Sequence, residues 1–247
     1  MARKQQENDT SPALRDIGAA VQLLAEHRPR RKLVRRILAR SAVGLYLGDH
    51  LPGGLSVLMI KRADREGDPW SGHMAFPGGR KDRGDRNTLV TAKRETLEEV
   101  ALDADRHARL VGRLSDIATQ PGLRGGPMII TPYVFQLHSL PPLVPNHEVA
   151  GVVWVPLPFL ADRANREKMR LAPNGVPIEL PCYMYGEHRI WGLSLMMLDE
   201  LLDALAHRAH LVADHAMKAL ARGGSDVVVG EHFDGRLQIA ERCAATF

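Results

Sequence analysis

The sequence predicts an α/β fold from three observations. Strand-like apolar runs recur between Ala42 and Tyr185, runs of helical period stand before, among and after them, and a carboxylate-rich segment from Thr88 to Leu102 has no Gly or Pro to interrupt a helix. With 247 residues, 45% of them hydrophobic and 25% charged, the chain can build one core of ordinary size with extensions. We expect three parts: a basic helical extension over 1–39, a main domain over 40–212, and a helix and hairpin extension over 213–247.

Residues 1–10 are polar. From Ser11 to about His27, Leu14, Ile17, Ala20, Val21 and Leu24 recur at helical spacing; Thr10 or Ser11 can cap that helix and Pro29 ends it. Leu33, Val34, Ile37 and Leu38 follow as a second short helix or a lead into a strand. Ala42–Leu47 and Leu55–Ile60 are strand-like and flank a turn-rich stretch, which suggests a hairpin. A loop from Lys61 to His73 leads into Met74-Ala75-Phe76, and Pro77, Gly78 and Gly79 end that run before the acidic helix, for which Asp85 or Asn87 is available as a cap. Beyond the helix, Leu110–Ile117 and Met128–Leu137 are strand-like, with Arg124 in the Gly-rich loop between them. Glu148–Val155 is predicted as a buried strand, Leu157–Asp162 as a short helix, and Met169–Leu171 with Val176–Tyr185 as a hairpin. Leu193, Met196, Met197, Leu201 and Leu205 define a helix facing the sheet, His210–Ala221 a separate helix, and Phe233-Asp234-Gly235 a terminal hairpin that could mediate a homodimer.

At about 100° per residue, Glu98 lies about 60° to one side of Glu95 and Glu99 about 40° to the other, so the three acids share a narrow stripe. Arg94 falls one turn before Glu98, where it can pair with it, and Leu89, Ala92 and Val100 gather on a flank that can pack on a sheet. A solvated acidic face would show the same letters. At half-buried positions, however, each like-charged pair costs roughly 4 kcal/mol at 4 Å and an effective dielectric of 20, so such carboxylates require a cation.

The turn and helix together resemble the Nudix box, G-x5-E-x7-R-E-U-x-E-E-x-G-U with U apolar. Gly78-Gly79 opens the loop, and Arg94, Glu95, Glu98, Glu99 and Leu102 fall in place. Asp85 stands where the first Glu is expected, the interval from it to Arg94 is one residue longer than the pattern, and Thr96 and Ala101 replace an apolar residue and a Gly. Within that family the coenzyme A pyrophosphatase branch is nearest. Arg62, Gly72 and Phe76-Pro77-Gly78-Gly79 before the box and Ile190-Trp191-Gly192 after it resemble that branch, although the intervening Arg and His are missing and His73 stands where Gln is usual.

The resemblance covers roughly 40–205. It implies an α/β/α sandwich with a mixed sheet, and metal-dependent hydrolysis of the pyrophosphate bond in a nucleoside diphosphate linked to another group. That group is coenzyme A or a related compound; a nucleotide sugar, a dinucleotide or a non-hydrolysing nucleotide sensor are the alternatives. It further implies Mg2+ or Mn2+ held by Glu95, Glu98, Glu99 and a carbonyl of Gly78 or Gly79, since clustered carboxylates suit hard ions that neutralise a polyphosphate. Arg94, Glu95, Glu98, Glu99 and Glu148 are the candidate catalytic residues; a box carboxylate or Glu148 would activate the water, though Glu148 also fits a strand-end acid in solvent. Arg62, His73, Arg80, Lys81 and Arg124 are candidate phosphate or base contacts.

The formal net charge of +4 belongs to one segment, since residues 28–40 hold seven Lys or Arg and no acid. The segment could touch nucleic acid or an acidic membrane surface, but without interleaved aromatic residues to stack on bases it is expected as a solvated flank or a rim that draws anionic substrate. No apolar run approaches the roughly 20 residues that span a bilayer, and the charged N-terminus lacks the apolar core of a secretory signal, so no membrane partner and a cytoplasmic location are expected. Cys182 and Cys243 are widely separated and lack metal-ligand spacing, which argues against a disulfide framework or a zinc site.

Overall fold

The computed structural model describes residues 12–49, 54–67, 70–119, 126–172 and 177–221. Arg124 and the terminal hairpin therefore lie outside the described residues, as does the turn at Pro173-Asn174-Gly175.

The first helix, α1 (Ile17–Glu26), starts later than expected because a 3-10 turn at Pro12–Leu14 precedes it. Its cap is Asp16, whose carboxylate accepts the Gly18 and Ala19 amides at 2.7 and 3.4 Å. A second 3-10 turn, Leu33–Arg36, leads into β1 (Ala39–Gly48), the centre of the main sheet. The sheet is completed by β2 (Ser56–Arg62), β3 (Met74–Ala75), β4 (Gly78–Arg80), β5 (Ala108–Arg113), β6 (Ile117–Ala118), β7 (Met128–Leu137) and β8 (Val149–Pro156). Strand β1 runs parallel to β7 from Ala39↔Met128 to Leu47↔Gln136, and antiparallel to β4 and, at its far end, to β2. Strand β2 carries β3 and β8, while β5 and β6 lie on β7, all antiparallel, so the sheet is mixed.

The period-2 alternation along these strands sorts the core into two layers. Leu45 and Leu47 of β1, Val57 and Met59 of β2 and Val134 of β7 face α1 and α5 (Gly192–Ala221). Tyr46, Leu58, Ile60 and Phe135 form the opposite layer, on which α2 (Thr88–Val100) sets Val100 and Leu89. The result is helices on both faces of a mixed sheet, an α/β/α sandwich. Full burial of each such aliphatic side chain is worth about 1.5–3 kcal/mol, so these two layers dominate stability.

Two short helices, α3 (Ala104–His107) and α4 (Leu157–Ala161), and a small antiparallel sheet of β9 (Arg166–Leu171), β10 (Ile178–Tyr185) and β11 (His188–Trp191) accompany these layers. Strand β11 was not expected; four residues after a tight turn are too few to show a period. Helix α5 runs unbroken through the boundary expected at 212/213, because no Gly or Pro interrupts it. On its core face Leu198 is buried, whereas Met196, placed there from the sequence, is exposed. Among the described residues no helix is long and apolar enough to cross a membrane.

The N-terminal extension is bonded to the domain. His27 Nε2 lies 2.8 Å from Glu200 Oε1 on α5, and the same oxygen accepts the Ser115 amide and hydroxyl at 2.9 and 2.8 Å. The Lys32 amide donates to Asp116 Oδ2 at 3.1 Å, while the Asp116 amide donates to the Arg30 carbonyl at 2.9 Å. The Asp116 side chain is fully buried and is held in turn by Arg113 and Thr131.

Candidate active site

The site begins at a turn that only glycine fits. Gly78 has φ +154°, and a Cβ there would collide with the Ala42 carbonyl of β1. That close approach leaves the Gly78 amide free to donate to Glu99 Oε2 at 2.9 Å. A Cβ on Gly79 would strike the Glu95 carboxylate, and the Gly79 carbonyl accepts Ser41 Oγ at 2.6 Å. The two glycines thus let one short strand meet the first and last acids of α2.

Asn87 caps α2, its side chain accepting the Leu89 and Val90 amides at 2.9 and 3.1 Å. Asp85 is thereby free for another role. Its side chain, 4% exposed, accepts the Asp82 amide at 3.0 Å, Thr91 Oγ1 at 2.9 Å, and Arg94 Nε and Nη2 at 3.2 and 3.1 Å. The turn from Asp82 to Asp85 is closed by its own hydrogen bonds and sets a shorter acid at the place where a Glu was expected.

Arg94 is the hub. Its remaining donors reach Glu95 Oε1 and Glu98 Oε2, each at 2.9 Å, and the Arg80 carbonyl at 3.2 Å. The guanidinium beside Asp85 holds that carboxyl down to about 2, and Asp85 foremost raises the arginine's own affinity for its proton. Glu95 moves up instead, because burial outweighs its bond to Arg94. Glu99 is 3% exposed, and burial pushes it up to about 7 against the Gly78 hydrogen bond, with the charges of Glu95 and Glu148 adding to the rise and Arg62 opposing it.

The expected acidic stripe is therefore divided by depth: Glu99 is buried, Glu95 half-buried and Glu98 exposed. Thr96 is tolerated at an apolar position because its hydroxyl donates to the Ala92 carbonyl at 2.8 Å and accepts Tyr46 OH at 3.2 Å. Tyr46 in turn stacks on Phe135 with ring centroids 4.7 Å apart.

Glu148 precedes β8 and is electrostatically coupled to Glu99, and its Oε1 lies 3.0 Å from Arg65 Nη2. Asn146 seats this corner: its amide donates to the Glu99 carbonyl at 2.9 Å, and its side chain accepts the Glu148 amide at 2.8 Å. Arg62 ends β2 at a register shift and faces Glu99 electrostatically, and its amide donates to the His73 carbonyl at 3.0 Å. The His73 ring packs edge-on against Trp70 and Trp191, with centroids 5.6 and 5.1 Å away. Arg80 and Lys81 stand on the Arg94 side of the turn, Lys81 Nζ reaching the Asp82 carbonyl at 3.1 Å. Arg65, Asn146 and Ser41 were missed. Each bonds to a residue far from it in sequence, Arg65 to Glu148, Asn146 to Glu99 and Ser41 to Gly79, and no local pattern announces it.

The donor set here is oxygen only, which suits a hard divalent cation. Among the described residues, however, no three His, Cys, Asp or Glu side chains converge closely enough to hold an ion; Glu95 and Glu98 are turned onto Arg94.

A glycine turn bonded to a buried glutamate, on a helix whose other acids share one arginine and within an α/β/α sandwich, defines the Nudix class. The NUDIX domain family model matches residues 36–173, more than half of the chain, and the chain belongs to that family. An uncharacterised protein of Schizosaccharomyces pombe is 40% identical over 104 residues, which are 41% of this chain and 32% of that protein. The chain thus matches only about a third of that relative's length. The mitochondrial coenzyme A diphosphatase NUDT8 of Mus musculus is 29% identical over 152 residues, 61% of this chain and 71% of the relative. A MutT/nudix family protein from Enterococcus faecalis, of known structure, aligns at 16% identity with a TM-score of 0.45, covering 83% of this chain and 73% of its own.

Proposed function

We propose that the protein is a pyrophosphohydrolase that uses Mg2+ or Mn2+ to cleave a nucleoside diphosphate joined to another group, with coenzyme A or a related compound as the leading substrate. The observation that carries the reading is the Gly78 amide bonded to buried Glu99 on the helix that also bears Glu95 and Glu98. Glu95, Glu98, Glu99 and a carbonyl of Gly78 or Gly79 would hold the cation, whose chemistry is to neutralise the polyphosphate and favour attack by water. Arg94 positions the acids, and Glu148, beside Glu99, is a candidate base together with the box carboxylates. Arg62, whose charge acts on Glu99, is assigned with His73, Arg80, Lys81 and Arg124 to substrate phosphates and base. Sequence similarities on both sides of the box, together with the name of the mouse relative, support coenzyme A. A cytoplasmic location forms part of the same proposal.

The test is a screen of nucleoside diphosphate derivatives, coenzyme A included, with Mg2+ or Mn2+ and product masses as the readout. Two phosphorylated fragments from coenzyme A support the full reading. Fragments from nucleotide sugars or dinucleotides alone would move the substrate and keep the reaction. Tight binding with every compound intact would overturn hydrolysis in favour of a sensor.

A further inference from the structure

The solvated basic flank expected over 28–40 accounts for its cations but not for its aliphatic residues. Leu33 is 90% exposed and Ile37 85%, four positions apart on the 3-10 turn and its cap, with Val34 at 45% between them. Their backbone is nonetheless fixed in place. The Arg30 and Lys32 amides bond to Ser115 Oγ and Asp116 Oδ2, the Arg30 carbonyl accepts the Asp116 amide, and the Ile37 and Leu38 amides close on the Val34 carbonyl. A buried carboxylate thus clamps a segment that holds two large aliphatic side chains out in water. Around them Arg28, Arg30, Arg31 and Lys32 are all exposed, and no acid lies between residues 28 and 40.

We propose that this segment docks the protein on an anionic lipid surface, Leu33 and Ile37 entering between the acyl chains while the flanking cations meet the headgroups. The charge complementarity selects an anionic partner, and the aliphatic pair selects among such partners. Nucleic acid offers phosphates but nothing for leucine and isoleucine, and no aromatic residue is present to stack on bases. Three protruding side chains fall far short of the roughly 800 Å² per partner of a stable protein interface. A bilayer needs no matching shape: aliphatic side chains insert singly and basic neighbours add attraction that weakens with salt. This docking does not depend on the proposed hydrolysis.

The experiment is co-sedimentation of the full chain with phosphatidylcholine vesicles containing about 30 mol% phosphatidylglycerol, against phosphatidylcholine alone, at roughly 0.1 M salt. We expect at least about tenfold tighter binding to the anionic vesicles, weakening as salt rises. The double variant Leu33→Asp/Ile37→Asp and the triple variant Arg30→Gln/Arg31→Gln/Lys32→Gln should each lose about tenfold or more while melting like the native chain, since all five side chains are exposed. Equal affinity for both vesicles, no binding to either, or native binding by the Leu33/Ile37 variant would overturn the proposal. Self-association without vesicles that the Leu33/Ile37 variant abolishes would overturn it too, assigning the face to a second copy.

Discussion

Replacing Asp85 with Asn would test whether the Asp85–Arg94 pair sustains the box loop. Four donors converge on this carboxylate: the Asp82 amide, the Thr91 hydroxyl and two nitrogens of Arg94. The folded protein holds the group down to about 2, chiefly through Arg94. An ordinary aspartate titrates near 3.9, so the difference is about two pH units, or roughly 2.5 kcal/mol at 1.36 kcal/mol per unit. With the side chain 4% exposed, little of this is screened. Arg94 keeps Glu95 and Glu98 in the variant, so the loss should stay below the 3–5 kcal/mol of a fully broken buried pair; we expect about 2–3 kcal/mol near pH 7. The sign follows from the depressed value: the contribution is complete above about pH 4, where the unfolded group is ionised, and is lost as pH falls toward about 2. Urea unfolding of both proteins at constant m between about pH 7 and 2.5 measures it. A gap under about 0.5 kcal/mol near pH 7, or one that keeps its width at the acid end, would refute the reasoning.

Three further outcomes are expected. Glu98→Gln and Glu99→Gln should each lower kcat/KM by about 100-fold or more with native melting, and a chelator should abolish turnover until Mg2+ or Mn2+ is restored; native activity in either variant would place the metal elsewhere. Gly78→Ala should destabilise the fold by about 2 kcal/mol or more, seen as a lower Tm, since its φ and its contact with Ala42 both exclude a side chain. Glu200→Ala removes the shared acceptor of His27 and Ser115, and should cost about 1–3 kcal/mol with faster hydrogen exchange across α1.

Much of the fold could be read from the chain because its signals are local. Strand β7 has the predicted bounds, Met128–Leu137, and the expected flank of α2, with Ala92 and Val100 buried and Leu89 packed beside them, lies against the sheet. Pairings over long sequence distances are another matter: that β1 lies parallel to β7, or that Asn146 closes on Glu99, depends on the whole sandwich and leaves no period. At the site the three glutamates and Arg94 were visible as letters at helical spacing. Their unequal depths were not, because Glu99 is buried by Gly78 and by the 146–148 corner, both remote in sequence. The Asp85 anchor was half visible: its place in the motif showed, but its bonds needed the Asp82–Asp85 turn.

Ala101 closes α2 with φ 58° and ψ 25°, a left-handed cap, where the motif places glycine. The motif's glycine therefore encodes a pair of dihedral angles and no chemistry, and this chain keeps the angles while changing the letter. An L-residue in that region carries about 1 kcal/mol of strain, partly offset by the smaller entropy an alanine loses on folding. Ala101→Gly should thus be neutral or stabilising by up to about 1 kcal/mol and leave the acids undisturbed, because a left-handed helix end is where glycine fits best.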